Sequence, residues 1–352
     1  MINRRKSRVI NVGNVKIGGN NPISVQSMTT TDTKNVNATV DQIKKLTTAG
    51  CDIIRVAVPD HESANAISKI KKQINIPLIA DIHFDYKLAI ASIKNGADAI
   101  RINPGNIGSE ERVKRILAIA KNDGTSIRIG VNSGSLEEDL LEKFGVSVEA
   151  IIQSALRYVE LFEKYNFYNL KLSLKSSSVL QTIRSYEKMS QLVDYPFHLG
   201  VTEAGTTFSG TIKSAIGIGS LLAQGIGDTI RVSLTADPAE EIKTGIEILR
   251  SLGLRRGPQI ISCPTCGRTE IDIISITNKV EDKINKMDIR KNFTVAVMGC
   301  VVNGPGEAKE ADIGVAGGKD EALLFEKGKV IKKIPSHKII DELISKITNK
   351  YL

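Results

Sequence analysis

Residues 126–133, SIRIGVNS, decide the fold of the larger part of this chain. Alternate side chains of a strand point to opposite faces, so the aliphatic residues share one face and Arg128 shares the other with Asn132. Runs of this kind alternate with amphipathic helical segments between about residue 23 and about residue 250. Strand and helix in steady alternation predict a parallel sheet, and eight such strands have the size of a (β/α)8 TIM-type barrel.

The predicted strands lie within eight β-rich runs: PISVQSM (22–28), CDIIRVAV (51–58), PLIADIHF (77–84), DAIRINPG (98–105), SIRIGVNS (126–133), NLKLSLKSS (169–177), HLGVTEAG (198–205) and TIRVSLTADP (229–238). Before them, residues 8–25 alternate around two Gly/Asn turns. This pattern predicts a hairpin that plugs the bottom of the barrel.

The pattern changes at residues 253–258, where Gly, Arg and Pro indicate a linker. We predict a barrel domain over residues 1–257 and a small α+β domain over residues 258–352. The second domain contains a helix near residues 269–288, strands FTVAVMG and DIGVAGG, a hairpin around LLFEKGKVIKKI and a closing helix.

Composition limits the function classes. The chain of 352 residues carries a formal net charge of +9, but only 4% of its residues are aromatic, so base-stacking platforms are poorly supported. Neither a bilayer-spanning run nor the apolar core of a signal peptide is visible, and we expect a cytoplasmic protein. Four cysteines in a chain of this size indicate metal or redox chemistry rather than a disulfide scaffold.

Cationic side chains stand inside the aliphatic runs, on the face opposite to the aliphatic one. They are Arg55, Arg101, Arg128, Lys171, Lys175 and Arg231. Polar residues that share this face are Asn103, Asn132, Ser173 and Ser233. Because the aliphatic face of a barrel strand packs against helices, we expect these groups to point inward, near the C-terminal ends of the strands where active sites are built.

Six converging cations would be costly to desolvate without anions. The barrel strands offer only Asp81 and Glu203, so a substrate with several phosphate oxygens is the better explanation, since arginine forks match phosphate geometry. Internal salt bridges, or lysines that reach out to the rim, are the alternative. His83 and His198 are candidate acid–base groups, although single histidines more often have structural roles.

Three cysteines fall in the second domain: Cys263 and Cys266 in CPTCGR, and Cys300 in VAVMGCVVNGPGEA. Cys51 begins an apolar run and is expected to be a buried, inert thiol. Glu307, seven residues after Cys300, can complete a set of four ligands. Structural zinc prefers cysteine and histidine, so three cysteines with a glutamate favour an iron–sulfur cubane with one exchangeable corner; zinc stays the alternative.

Together, CPTCGR, MGCVVNGPGEA, RINPGN, VQSMTTTDT and VTEAG resemble the 4-hydroxy-3-methylbut-2-enyl diphosphate synthase family of the methylerythritol phosphate route to isoprenoids. The resemblance covers nearly the whole chain. It implies a (β/α)8 barrel followed by a small domain that holds a [4Fe-4S] cluster. It also implies the ligand set Cys263, Cys266, Cys300 and Glu307.

The resemblance further implies a two-electron reductive ring opening and dehydroxylation of 2-C-methyl-D-erythritol 2,4-cyclodiphosphate, with ferredoxin or flavodoxin as electron donor. The diphosphate would account for the cationic barrel. Glu203 becomes the candidate proton donor, and Asp81 and His83 are candidates for orienting substrate or moving protons. The family also implies a head-to-tail homodimer, because the linker leaves the barrel at the end opposite to the mouth.

Two other functions are compatible with parts of the pattern. A cationic RNA-binding protein could use CPTCGR in a zinc knuckle and its net charge for phosphates. A redox-inert barrel enzyme acting on a phosphorylated pterin or sugar could carry a structural metal. Iron and sulfide content after anaerobic purification separates these possibilities from the cluster enzyme.

Overall fold

The computed structural model describes residues 2–287, 289, 291–301 and 308–352. The chain divides into two compact units, Met1–Arg255 and Arg256–Leu352. Among the described residues, no helix combines the length and the apolarity that crossing a bilayer requires.

The first unit is built on a sheet of eight parallel strands, whose neighbours in the sheet follow the order β8-β7-β6-β5-β4-β3-β10-β9. A hairpin precedes them, and the bounds are β1 Ile10–Val12, β2 Val15–Ile17, β3 Ser24–Met28, β4 Ile53–Ala57, β5 Leu78–Asp81, β6 Ala99–Ile102, β7 Ser126–Asn132, β8 Leu170–Lys175, β9 His198–Leu199 and β10 Thr229–Ile230. A parallel bridge between Leu172 and Phe197 joins β8 to the β9 segment and closes the sheet. The prediction of a (β/α)8 barrel is therefore confirmed.

Helices surround this barrel: α1 Val36–Thr48, α2 His61–Lys71, α3 Tyr86–Lys94, α4 Pro104–Ile107, α5 Glu110–Asn122, α6 Glu138–Phe144, α7 Val148–Lys164, α8 Val179–Leu192, α9 Thr207–Ala223 and α10 Pro238–Ser251. Several begin at a capping side chain; Asp60 accepts from the Ser63 N–H, and Ser147 accepts from the Ala150 N–H. Such a cap contributes about 1 kcal/mol to helix stability.

The N-terminal hairpin lies against the apolar bottom of the barrel. Its buried side chains pack with the first inward-facing residues of three strands, and the cluster consists of Ile10, Val12, Ile17, Ile53, Ile79 and Ala99. The bottom is thus sealed by hydrocarbon, as the alternation of residues 8–25 predicted, and any polar cavity opens at the C-terminal ends of the strands.

The second unit contains a mixed five-stranded sheet, in the order β11-β12-β13-β14-β15. Its elements are β11 Pro258–Ser262, α11 Ile273–Asn285, β12 Phe293–Met298, β13 Ile313–Ala316, β14 Glu321–Glu326, β15 Lys329–Pro335 and α12 Ile339–Tyr351. The strands β11, β12 and β13 pair in parallel, whereas the pairs β13–β14 and β14–β15 are antiparallel. Strand β11 was not predicted, because Pro258 was assigned to a linker. Proline is tolerated at the start or the edge of a sheet, and β11 begins at Pro258 and is an edge strand.

Candidate active site

The cations that the sequence placed on the inward face lie inside the first unit. Arg55, Arg101, Arg128, Lys171 and Lys175 are buried, and Arg231 is half-buried. Strand registers pair Arg128 with Lys171 and Asp81 with Arg101, so these side chains share the interior of the barrel. The predicted inward orientation therefore follows from the strand period of two.

The cations occupy several layers rather than one ring. Inward side chains of a (β/α)8 barrel stack in layers drawn from alternate strands. Following the registers around the sheet puts Lys171 in the same layer as Ile53, and Arg128 one layer above it. Arg55, Arg101 and Arg231 lie above Arg128, and Lys175 lies nearest the mouth. The expectation that all six stand near the C-terminal strand ends is wrong for Lys171 and Arg128.

Asp81 is a buried carboxylate at the end of β5, on one side of the barrel interior. Its carboxylate oxygens lie 3.6 Å from Arg55 Nη1, 3.4 Å from Arg101 Nη1 and 3.6 Å from His83 Nε2. Burial by itself would raise the pKa of Asp81. The charge of Arg55, the hydrogen bond with His83 and the charge of Arg101, in decreasing order, together hold this pKa well below its usual range. Asp81 is therefore an ionised group that fixes two arginines and is a poor proton donor.

A second buried carboxylate, Glu241, was not identified from the sequence. It lies in the first turn of α10, where its Oε1 accepts from the Leu234 N–H at 2.9 Å and its Oε2 lies 3.7 Å from Arg231 Nε. The sequence signal was the acidic pair Glu240-Glu241 one residue after Asp237-Pro238, which is typical of a helix N-terminus. Glu241, and not Glu203, is the partner of Arg231.

Glu203 stands apart from this network. It is exposed, it adopts a left-handed backbone conformation with φ 53°, and its side chain makes no hydrogen bond or ion pair with any described residue. A non-glycine residue in this conformation is uncommon and is often found at functional positions. The carboxylate of Glu203 thus stands unpaired among the described residues, in the loop that follows β9.

The other side of the cavity contains cations without acids. Among the described residues, no carboxylate lies within salt-bridge distance of Arg128, Lys171 or Lys175. Arg128 Nε and Nη1 and Lys171 Nζ also lack any hydrogen-bond partner. Burial, followed by the charge of Arg128, lowers the pKa of Lys171 to about 7, and burial likewise lowers the pKa values of Arg128 and Lys175. These groups need a polyanion to balance them.

Two glycines make room for the cations. A Cβ atom at Gly130 would lie 2.8 Å from Arg101 Nε, and a Cβ atom at Gly200 would lie 2.5 Å from Lys175 Nζ. Both glycines lie at inward-facing positions, on β7 and directly after β9. Any larger residue would displace a cation, so the cavity is shaped for these side chains.

The predicted polar neighbours have different surroundings. Asn103 is buried, donates from Nδ2 to Ser135 Oγ at 3.0 Å and accepts from the Gly105 N–H at 3.2 Å. It therefore ties the loop after β6 to the loop after β7. Ser173 is buried in the same layer as Arg55, whereas Asn132 and Ser233 are half-buried.

Three cysteines of the second unit follow neighbouring parallel strands. Cys263 comes directly after β11 and Cys300 comes two residues after the end of β12; β11 and β12 are paired along their length. The Gly299 N–H donates to Cys263 Sγ at 3.2 Å. The Arg268 N–H, followed by the Thr269 hydroxyl, lowers the pKa of Cys266. N–H donors favour thiolates, which are the ligand form of cysteine.

The chemistry of this donor set, three cysteines of one unit, matches the ligands that iron–sulfur clusters use. Among the described residues, no three cysteine, histidine or acidic side chains are grouped as ligands of one metal ion. A cubane binds each cysteine at a different iron, so its ligands need not converge on one point. Glu307, the proposed fourth ligand, lies outside the described residues. Cys51 is buried in the barrel unit, and burial raises its pKa to about 12.

Family models match both units. The GcpE TIM-barrel domain matches residues 7–246, and the GcpE protein C-terminal domain matches residues 259–349. A relative from Caldanaerobacter subterraneus subsp. tengcongensis is 60% identical over 350 residues, which is 99% of this chain and 98% of the relative. A relative from Clostridium tetani is 58% identical over 350 residues, covering 99% of this chain and 100% of the relative. Both are named 4-hydroxy-3-methylbut-2-en-1-yl diphosphate synthase (flavodoxin).

Solved structures support the barrel alone. Dihydropteroate synthase from Stenotrophomonas maltophilia has a TM-score of 0.52 and 14% sequence identity, and the match covers 70% of this chain and 98% of that one. A structural match at such low sequence identity shows the fold alone and carries no information about the reaction. The family models span both units and the relatives match nearly end to end, and on this evidence the chain belongs to the GcpE family.

Proposed function

We propose that this chain is a flavodoxin-dependent oxidoreductase that reductively opens and dehydroxylates 2-C-methyl-D-erythritol 2,4-cyclodiphosphate to 4-hydroxy-3-methylbut-2-enyl diphosphate. The observation that carries the proposal is a barrel interior of six cations in which, among the described residues, two carboxylates, Asp81 and Glu241, pair with three of the six. The names of the relatives supply the diphosphate product and the flavodoxin-class donor.

In this proposal the cations bind the diphosphate. Arg55, Arg101 and Arg231 are already oriented by carboxylates, so they present their remaining N–H groups in fixed directions. Arg128 and Lys175 pair with no acid among the described residues and would gain their counter-charge from the phosphates. Charge-assisted hydrogen bonds of this kind are about twice as strong as neutral ones.

We also propose that Cys263, Cys266, Cys300 and Glu307 hold a [4Fe-4S] cluster. When bound, such a cluster supplies one-electron transfers and a Lewis-acidic iron at its non-cysteine corner. The chain's own contribution is to keep thiolates available, through the Gly299 N–H at Cys263 and the N–H and hydroxyl groups near Cys266.

Proton delivery to the departing hydroxyl falls to Glu203 in this proposal. Asp81 is held ionised by two arginines, and it therefore orients groups instead of donating a proton. His83 is more than half exposed beside Asp81 and is a candidate to pass protons from solvent. Glu203 has no competing partner among the described residues, which leaves its carboxyl group available to substrate.

A head-to-tail homodimer is part of the proposal. Arg255 Nη1 lies 2.7 Å from Asp52, which immediately precedes β4, so the chain leaves the barrel at the end opposite to its mouth. The mouth itself has apolar side chains on three loops or helix starts: Phe84, Leu180 and Phe208 are 70%, 63% and 80% exposed. Exposed large apolar groups around a cavity are typical of a surface covered by another protein unit.

Mixed dimers test this arrangement. Arg128→Ala chains and Cys300→Ser chains are each expected to be inactive, and they are unfolded together or co-expressed to form mixed dimers. In a head-to-tail dimer half of the molecules are mixed and each has one intact site, so about a quarter of wild-type activity should return. An absence of complementation would rule out sites shared between chains.

Four free cysteines and a flavodoxin-class donor are consistent with a reducing compartment, and we retain a cytoplasmic location in the proposal. The RNA-binding alternative, which rested on CPTCGR and the net charge, has no support from the family models or the relatives. The pterin alternative rests on shared fold alone.

The activity is tested with anaerobically purified protein. Iron and acid-labile sulfide should be present in equal amounts, and reduced flavodoxin should convert the cyclic diphosphate to a linear diphosphate, followed by phosphorus-31 NMR. Cys300→Ser should lose iron while the circular dichroism of the barrel is retained. An iron-free protein, or a loaded protein that leaves the cyclic diphosphate unchanged, would refute the proposed function.

A further inference from the structure

His198 is buried in the middle of the cationic interior. It begins β9, its side chain is fully buried, and the strand register pairs it with Thr229 on β10. Because Leu172 pairs with Phe197, the next residue pair brings His198 beside Ser173 of β8. The layers around the barrel then place the imidazole at the level of Arg128, one layer above Lys171.

Polar atoms around this histidine lack partners. His198 Nε2 has no hydrogen-bond partner among the described residues, and neither do Arg128 Nε, Arg128 Nη1 and Lys171 Nζ. Within the described part of the chain, the hydrogen-bond contact of the ring is between Nδ1 and Thr229 Oγ1, at 3.5 Å. A fully buried group with an unpaired nitrogen is a common sign of a ligand or an ordered water that the polar atoms bind.

The imidazole is neutral in these surroundings. Burial lowers its pKa well below the ordinary value, and the nearby charges of Arg128, Lys175, Lys171 and Arg55 lower it further. Arg101 and Arg231 add to the positive interior, and the acids Asp81 and Glu241 are already paired with other cations. In the tautomer whose proton is on Nδ1, the ring donates to Thr229 Oγ1 and Nε2 carries a lone pair, which makes the ring an uncharged acceptor among donors.

We propose that His198 is a positioning residue for diphosphate binding, and that its Nε2 accepts an N–H from Arg128 or Lys171, directly or through one water. The inference rests on the proposed function, since it concerns the same cavity. An acid at this position would satisfy the donors but would also cancel the charge that the phosphates require. A neutral acceptor satisfies one donor and leaves the charge in place, which explains why a histidine stands here.

The test compares two substitutions in the complete enzyme. His198→Leu removes the acceptor, and His198→Gln restores a neutral side-chain acceptor of similar reach. Losing one hydrogen bond to a charged group should raise the KM and the dissociation constant of the cyclic diphosphate about 10- to 100-fold, with kcat changed less than about threefold. His198→Gln should return both constants to within about threefold of wild type.

Tyr186→Phe is the matched control. The Tyr186 hydroxyl donates to the main-chain oxygen of His198 and accepts from the Leu174 N–H, so its loss weakens the same strand without altering the imidazole. We expect this variant to lower the melting temperature and to leave the dissociation constant unchanged. If His198→Leu behaves like Tyr186→Phe, losing stability but not affinity, the imidazole is only structural and the inference is overturned.

A second measurement is independent of turnover. The chain contains four histidines, so nitrogen-15 histidine NMR gives few signals to assign. The His198 signal should stay that of a neutral ring between pH 6 and 9, and the cyclic diphosphate should shift its Nε2 resonance. A protonated ring, or no shift on saturation, would contradict the inference. If wild-type protein does not bind the cyclic diphosphate at all, the proposed function itself fails.

Discussion

Replacing Arg128 by methionine should stabilise the ligand-free protein and at the same time remove most of its affinity for substrate. Arg128 is 2% exposed, contacts no carboxylate among the described residues and has two unpaired N–H positions, Nε and Nη1. Burial, followed by repulsion from Arg55 and Arg101, lowers its pKa. The free protein therefore bears the cost of a buried charge that only a ligand balances.

The gain in stability and the loss of substrate affinity can be estimated separately. An apolar side chain in place of an unbalanced buried ion stabilises by about 1–3 kcal/mol, which raises the melting temperature of a unit this large by roughly 2–4 °C per kcal/mol. A guanidinium that binds phosphate through two charged hydrogen bonds contributes about 1.5–3 kcal/mol for each bond. Losing both should lower kcat/KM roughly 10²- to 10⁴-fold.

The assay pairs thermal unfolding with steady-state kinetics on the same anaerobic preparation. Arg157→Met is the control, since Arg157 lies on the exposed face of α7 and pairs with Asp139; it should leave kcat/KM unchanged. The reasoning is refuted if Arg128→Met melts at a lower temperature than wild type while kcat/KM stays within threefold.

Three further predictions concern the titration of Lys171, the proposed catalytic acid Glu203 and the dimer interface. The pKa of Lys171 is about 7 in the folded ligand-free protein and ordinary when unfolded, so the unfolded state binds more protons between about pH 7 and pH 10. Stability should therefore rise with pH across that window, and Lys171→Met should flatten the profile measured by thermal unfolding; an unchanged slope would contradict the assignment. Glu203→Gln should lower kcat about 100-fold or more while the dissociation constant of the cyclic diphosphate changes less than threefold, and a kcat near wild type would exclude Glu203 as the acid. Phe208→Glu combined with Ile212→Glu places charge on the exposed apolar face of α9, so sedimentation velocity should report monomers; intact dimers would place the interface elsewhere.

Much of the barrel could be predicted because its strands repeat with a period of two. In SIRIGVNS and KLSLK every second residue is aliphatic, so the cationic residues between them had to face inward. Strand extents were less accurate. Only His198–Leu199 of HLGVTEAG and Thr229–Ile230 of TIRVSLTADP are extended, because the residues that follow turn into the loops of the mouth.

The height of each side chain inside the barrel could not be predicted. It depends on the stagger between neighbouring strands, which a single strand's sequence does not contain. For this reason Lys171 was expected near the mouth and lies below Arg128, and the level of His198 beside Arg128 was not foreseen. Glu241 was missed because it belongs to a helix, and only packing brings its carboxylate to Arg231.

Electron paramagnetic resonance of the reduced holoenzyme, recorded with and without the cyclic diphosphate, tests most directly whether the barrel cations hold the substrate for an iron–sulfur centre. Dithionite-reduced wild-type protein should give the signal of one [4Fe-4S] cluster, and the cyclic diphosphate should change that signal. Arg128→Met should show the same cluster without the change. A protein with no iron signal, or an Arg128→Met spectrum that responds as wild type does at the same substrate concentration, would contradict the account.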